Sequence, residues 1–290
     1  YKRLASQLPR TVVSAADADS PTVLCARAEM QSWEMVQLEP SAMRDSDPLH
    51  RPPGISPTGA NMAATLFDLA KTIDPQTGLP DEEAVYQRAG NRLAELLGEV
   101  GTVVVEKDEK RELLTLCTVD RFGARTPARS LSDGTLSFIA LVLKQMSTRP
   151  QRLLCMEEPE NGIHPKRIAA ILNLLRETSV DTHAAVDPSN PLRQVIINTH
   201  SPAVVQQVPD DSLLVAELLP WRDVGNKMSS RLTVSAMSDT WRTKMPGNVR
   251  ITTKGTILAY LRPVDSRQED EQPFCRVIDR HEIHQLTLDL

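Results

Sequence analysis

The sequence predicts an α/β fold with a parallel central sheet flanked by helices. Leu153 to Met156 and Val195 to Ile197 are short unbroken apolar runs, the pattern of strands buried on both faces. Between them, Pro165 to Glu177 carries Ile168, Ile171, Leu172 and Leu175 on one helical face, with proline at a permitted early position. Strand, helix and strand in that order build a right-handed βαβ unit. Leu213 to Val215 is expected as a third buried strand of the same kind.

Upstream elements follow from the same reasoning. Val23 to Cys25 and Trp33 to Leu38 read as short strands. Pro40 to Thr58, with Pro48, Pro52, Pro53 and Pro57, reads as a loop. Asn61 to Lys71 suits a helix, with Met62, Leu66, Leu69 and Ala70 as its apolar positions. Asp81 to Val100 is a stronger one, because Val85, Ala89, Leu93, Leu96, Leu97 and Val100 recur at spacings of three and four. Asp81, Glu82 and Glu83 place negative charge where a helix N-terminus favours it. Thr102 to Val105 and Leu113 to Val119 read as strands joined by a charged turn, Glu106 to Arg111. Ser132 to Thr135 is a polar turn, Leu136 to Met146 an apolar helix, and Ile257 to Leu261 a short one. Arg262 to Pro273 is polar and acidic, an exposed connection.

Composition narrows the function classes. The 290 residues are 40% hydrophobic and 24% charged, with a formal charge of −5, which argues against a strongly basic domain that coats nucleic acid by bulk charge and leaves a local basic patch open. Aromatics are 3%, which argues against base-stacking platforms. Cys25, Cys117, Cys155 and Cys275 form no CxxC pair and read as free thiols of a reducing cytoplasm. No run of 18 apolar residues is present, and no secretory leader follows Tyr1.

The chemistry concentrates where buried strands end. Leu153 to Met156 runs straight into Glu157 and Glu158, and ligand sites of open α/β sheets lie at the carboxyl ends of strands. Neighbouring strand residues point to opposite sides, so the two carboxylates should take different jobs. One can hold Mg²⁺ through water, and the other can activate an attacking water. The bland alternative is a strand that runs into a solvated acidic turn. Val195 to Asn198 ends similarly, in Thr199 and His200, and His200 could contact a phosphate or position a water. Ser132 is a natural N-cap, and Gly134 lets backbone approach a ligand closely, so this helix start could bind an anion.

Together these segments resemble the ATP-binding-cassette ATPase head, in the branch that includes the RecF, SMC and OLD-like proteins. Leu131-Ser132-Asp133-Gly134-Thr135 is similar to that family's signature, and Leu153 to Glu158 to its Walker B strand. The resemblance puts Glu158 at the catalytic-glutamate position and Glu157 where most members have a magnesium-linked aspartate. It puts Asn161, Gly162 and His164 in the D-loop and His200 at the switch histidine. It is strong over about 126–217 and fainter over Trp33 to Arg44 and Thr240 to Pro263. It implies a P-loop NTPase fold that uses ATP and Mg²⁺. Two heads would close on nucleotide, with Ser132, Asp133, Gly134 and Thr135 reaching ATP held by the other head. It also implies a homodimer or higher oligomer that signals to DNA or to an effector such as a nuclease or toxin, in genome maintenance or antiphage defence. The corresponding organisation is a partial N-terminal region over 1–125, a signature-to-switch lobe over 126–220 and a C-terminal extension over 221–290.

One required motif is missing. No G-x-x-x-x-G-K-[ST] string occurs, and Gly54 to Asn61 matches only the glycine spacing, with Ala60 and Asn61 where lysine and a hydroxyl are needed. The phosphate loop is therefore expected upstream, in a longer polypeptide, or on a partner subunit. Two rival readings are a non-hydrolysing scaffold held together by nucleotide, and a metal-dependent hydrolase using Glu157, Glu158, His164 and His200. Arg280 to His284 falls one residue short of a zinc H-E-x-x-H, and Lys244, Arg250, Lys254 and Arg262 form no stripe.

Overall fold

The computed structural model of the protein describes residues 11, 13–15, 20–73, 80–98, 101–147, 152–222, 226–247 and 249–261. The chain divides into two compact units, Tyr1–Val208 and Pro209–Leu290. Val100, Arg262 to Pro273, Cys275 and Arg280 to His284 lie outside the described residues.

The first unit begins with α1 (Pro21–Gln31), where a strand was expected at Val23 to Cys25. Pro21 costs no hydrogen bond in a first helical turn, and Ala26, Ala28, Glu29 and Met30 are strong helix formers. A three-residue apolar run does not by itself separate strand from helix. β1 (Trp33–Val36) follows as expected. The proline-rich stretch is more ordered than a loop, because it holds α2 (Pro40–Arg44) and the short strand β2 (Asp47–Pro48). α3 (Met62–Ala70) and α4 (Glu82–Leu97) match their periodicities. Asp81 caps α4 by accepting from the Ala84 N–H at 2.9 Å, and Gly98 ends it in the left-handed region at φ 73°.

β3 (Thr102–Asp108), β4 (Leu113–Val119) and β5 (Arg125–Pro127) form an antiparallel sheet with β2, and β4 lies at its centre. The ladder runs to Asp108 opposite Leu113, so Glu106 and Lys107 are paired strand residues and not part of the turn. α5 (Asp133–Met146), β6 (Leu153–Glu157), α6 (Ile168–Thr178), β7 (Gln194–Asn198) and α7 (Pro202–Gln207) complete the unit. A 3-10 turn, Pro165–Arg167, leads into α6.

The parallel sheet has the order β1-β6-β7, with Val36, Met156 and Ile197 in register. All three strands therefore end along one edge. α5 is buried along most of its length, from Leu136 to Lys144, and sits in the core, packed against α2, α3, α4 and α6. Val36, Leu154 and Met156 meet the same core from the sheet, and Ile171 and Leu174 from α6. The sheet's other face is bare among the described residues: Trp33, Met35 and Ile196 are exposed, so β7 alternates where burial on both faces was expected.

Gly90 lies where α4 crosses the start of β3. A Cβ there would come within 2.6 Å of Thr102 Cα and 2.8 Å of Gly101 O, both backbone atoms. Helix propensity alone favours Gly90→Ala by about 1 kcal/mol. The crowding reverses the sign, and chemical denaturation should show a net loss of about 1–3 kcal/mol. A stabilised variant would mean that α4 does not approach β3 this closely.

In the second unit, β8 (Leu214–Arg222) pairs antiparallel with β9 (Met228–Met237), and β10 (Arg250–Thr252) runs parallel to β9. Leu213 to Val215 thus opens a strand of a different sheet and adds nothing to the parallel one. Its partner is the next strand in sequence, and a short apolar run carries no information about partners. α8 (Lys254–Leu261) covers the expected short helix. Lys254 pairs with Asp210 at 3.1 Å and Arg250 with Glu217 at 3.9 Å. Among the described residues, no helix is long and apolar enough to cross a membrane.

Candidate functional site

The site forms where β6 and β7 stop. Glu157 of β6 stands opposite Asn198 of β7, and the Glu158 N–H donates to the Asn198 carbonyl at 2.8 Å. The chain then reverses, with the Asn161 N–H donating to the Glu158 carbonyl at 3.0 Å. Glu158 takes φ 43°, a left-handed conformation that costs a residue with a side chain on the order of 1–3 kcal/mol. The kink breaks strand alternation. Glu157 and Glu158, expected on opposite sides, both line one open cavity of about 310 Å³, together with Gln37, Asp133, Ser137, Asn161 and Gly162.

The Glu158 carboxylate is held from one side and faced from the other. Asn161 Nδ2 donates to its Oε2 at 2.6 Å, and His200 Nε2 lies 3.8 Å from its Oε1, beyond direct hydrogen-bond range. His200 is well exposed and Glu158 partly buried. The turn carrying His200 is anchored by Thr199, whose hydroxyl donates to Glu160 and accepts from the Ser201 N–H at 2.9 Å. The second Glu160 oxygen is buried without a hydrogen-bond partner among the described residues.

The start of α5 closes the cavity. Ser132 caps the helix, accepting from the Thr135 N–H at 3.2 Å and sharing a 2.8 Å bond with the Thr135 hydroxyl. Arg44 donates to Asp133 Oδ1 at 2.5 Å and to the Leu131 carbonyl at 3.1 Å. Gly134 and Gly162 are both required by close approach. A Cβ on Gly134 would sit 3.0 Å from the Gly162 carbonyl, and one on Gly162, at φ 74°, would sit 3.0 Å from Asp133 Cβ.

Of the residues singled out in the sequence, Asp133, Glu157, Glu158, Asn161 and Gly162 line the cavity, Gly134 packs against its wall, and His200 flanks Glu158. Ser132 and Thr135 are occupied in the helix cap, and His164 caps the 3-10 turn, its Nδ1 accepting from the Lys166 N–H at 3.2 Å. Gln37, Ser137 and Glu160 are not singled out by the sequence, and Thr199 stands out there only as the polar end of its strand. Gln37 was within reach of sequence reasoning, since it follows β1, and the neighbour of a buried parallel strand must end on the same edge.

The donor set decides what can be held. Carboxylates and the Gln37 amide oxygen are hard donors that suit Mg²⁺, which keeps several waters and shares phosphate oxygens. Among the described residues, no Lys or Arg lines the cavity to neutralise a triphosphate. Among the described residues, no group of three or more His, Cys, Asp or Glu converges on a metal position, and the Glu157, Glu158, His164 and His200 set does not assemble. The Gly54 to Asn61 loop offers no phosphate cradle either. It leads into α3, where Asp47 Oδ2 already accepts from the Ala64 N–H at 2.9 Å. Burial holds the Asp47 carboxyl above its ordinary value, against the backbone N–H groups that favour its charge. A carboxylate thus occupies the anion position that a phosphate would need.

Comparison with known proteins gives one family and several solved structures. The Smc head domain with a coiled coil and joint from Pyrococcus yayanosii is 12% identical, covering 54% of this chain and 27% of that one, with a TM-score of 0.36. The SmcHead bound to the C-winged helix domain of ScpA is 10% identical, covering 72% of this chain and 57% of that one, at 0.40. The Smc head domain bound to the C-terminal domain of ScpA from Pyrococcus furiosus is 8% identical, covering 53% and 36%, at 0.33. This chain therefore spans between 27% and 57% of the length of these solved chains. No curated protein sequence matches it. The family described as "AAA domain, putative AbiEii toxin, Type IV TA system" matches residues 62–206, half of the 290-residue chain, and the chain belongs to that family.

Proposed function

We propose that this chain is the signature-bearing part of an ATP-hydrolysing head, which works when a second polypeptide segment presents a phosphate loop. One observation carries the reading: a strained glutamate at a strand end, clamped by Asn161 and faced by His200, beside the capped start of α5. Bound MgATP would supply the γ-phosphate and the metal charge. Glu158 orients and deprotonates a water, and Asn161 fixes which oxygen does so. His200 donates to the phosphate side. Glu157 and Gln37 offer oxygen donors to metal-bound water. Ser132, Asp133, Gly134 and Thr135 present the α5 N-terminus to nucleotide held across a head–head interface.

All of these residues except Gln37 fall in the lobe assigned to 126–220. That no Lys or Arg among the described residues lines the cavity supports a phosphate loop supplied by a partner segment. Membership of a family named for a toxin system supports an effector-linked, cytoplasmic role over transport. Effector, DNA and oligomer size belong to the same proposal.

Light scattering on the full assembly tests it. MgATP should raise the mass of wild type, and Ser132→Arg, which blocks the helix start, should weaken ATP-driven association by about tenfold or more. Association indifferent to ATP would reject head closure. Hydrolysis that survives Ser132→Arg undiminished would reject the role of α5 across the interface.

A further inference from the structure

Away from the candidate site, the antiparallel sheet bears a cleft of about 430 Å³ lined by Arg44, Ser46, Thr115, Cys117, Arg125 and Arg129, with Glu106 at its side. Its construction follows from strand register. Thr115 and Cys117 are two apart on β4 and share a face, and Glu106 of β3 stands directly opposite Thr115. Arg125 reaches across from β5 and donates to Glu106 Oε1 at 2.9 Å. The Ser46 and Thr115 hydroxyls bond each other at 2.8 Å, a pair that can turn outward to donate.

Charge is the unusual feature. In a chain of formal charge −5, this cleft gathers three guanidinium groups against a single lining carboxylate. Arg44 is engaged by Asp133 and Arg125 by Glu106, whereas Arg129 is exposed and pairs with no carboxylate among the described residues. Burial and the neighbouring Glu106 push the Cys117 thiol up to about 11, so it stays neutral and adds no competing anion. Among the described residues no aromatic side chain lines the cleft, so none offers a stacking surface for a base there. Guanidinium forks and hydroxyl donors together match a phosphate group, and the volume suits a small ligand.

We propose that this cleft binds a phosphate group and that its occupancy is felt at the start of α5 through Arg44. The second part follows from the two bonds Arg44 makes, to Asp133 and to the Leu131 carbonyl. An anion that draws on Arg44 competes with Asp133, and Asp133 lines the candidate catalytic cavity. The binding claim does not rest on the ATPase reading, because it is measured without turnover.

Calorimetric titration with sodium pyrophosphate, and separately with a short oligothymidylate, reads the site directly. The double variant Arg125→Ala/Arg129→Ala removes exposed side chains and should fold, which its thermal midpoint checks. It should bind about tenfold more weakly or worse. Arg129→Lys, which keeps charge but loses the fork, should fall between. Arg121→Ala, exposed and outside the cleft, should match wild type. Binding of pyrophosphate alone identifies a free phosphorylated small molecule. Competition by the oligonucleotide, with a steep salt dependence, identifies a nucleic-acid backbone. If neither probe binds, or binding persists in the folded double variant, the site is wrong. Hydrogen exchange at Asp133 to Leu136 should change on pyrophosphate binding, and an unchanged rate there overturns the link through Arg44.

Discussion

On the proposed function, Glu158→Gln should lower kcat for ATP hydrolysis by about 10²–10⁴-fold, measured together with a segment that supplies a phosphate loop, while leaving the fold intact. Glutamine has nearly the same shape, and its carbonyl oxygen can still accept from Asn161 Nδ2 in place of the carboxylate. What it loses is the ability to take a proton. The contact to His200 is long and exposed, so its weakening costs little. Unfolding free energy should therefore stay within about 0.5 kcal/mol of wild type. ATP-driven association should persist, because no group proposed to bind nucleotide has changed. Turnover that survives this substitution would falsify the role of Glu158. A collapse of turnover and stability together would mean that the carboxylate is structural.

The strand-end positions of the candidate residues are legible in the sequence, and their partners across the fold are not. Glu157, Glu158 and His200 were legible because a buried apolar strand that stops at a polar residue announces itself over a few positions. Ser132 was legible as an N-cap for an equally local reason. Their meeting was legible too, since parallel neighbours share an edge. What was lost is what depends on partners distant in sequence. Leu213 to Val215 has the apolar run of a parallel strand, yet it pairs antiparallel with β9, and nothing inside three residues distinguishes the two. Val23 to Cys25 differs for a local reason, since Pro21 and the helix formers after Cys25 outweigh a short apolar run. Arg44 gave no local signal at all. Its importance comes from Asp133, 89 positions away. Strand alternation predicts opposite sides for Glu157 and Glu158, and it ends at Glu158, which adopts φ 43°.

Gly162→Val should combine the largest stability loss with a loss of function, because two separate penalties meet at one atom. Gly162 has φ 74°, a region in which a β-branched residue is a genuine outlier, and that alone costs about 1–2 kcal/mol. The added Cβ would also lie 3.0 Å from Asp133 Cβ. Asp133 cannot easily retreat, since it begins α5 and is held by Arg44 at 2.5 Å, so overpacking adds about 1–3 kcal/mol. Denaturant unfolding should show about 3 kcal/mol in all, and Gly162→Ala a smaller part of it. The strain has two outlets. If α5 holds, the turn must shift, which carries Asn161 away from Glu158 Oε2 and frees the carboxylate to adopt unproductive rotamers; hydrolysis then falls more than nucleotide binding does. If the turn holds, the start of α5 moves and association falls first. Equal losses in both would place the damage in the whole unit, and unchanged stability would show that α5 and the turn after β6 do not touch as described.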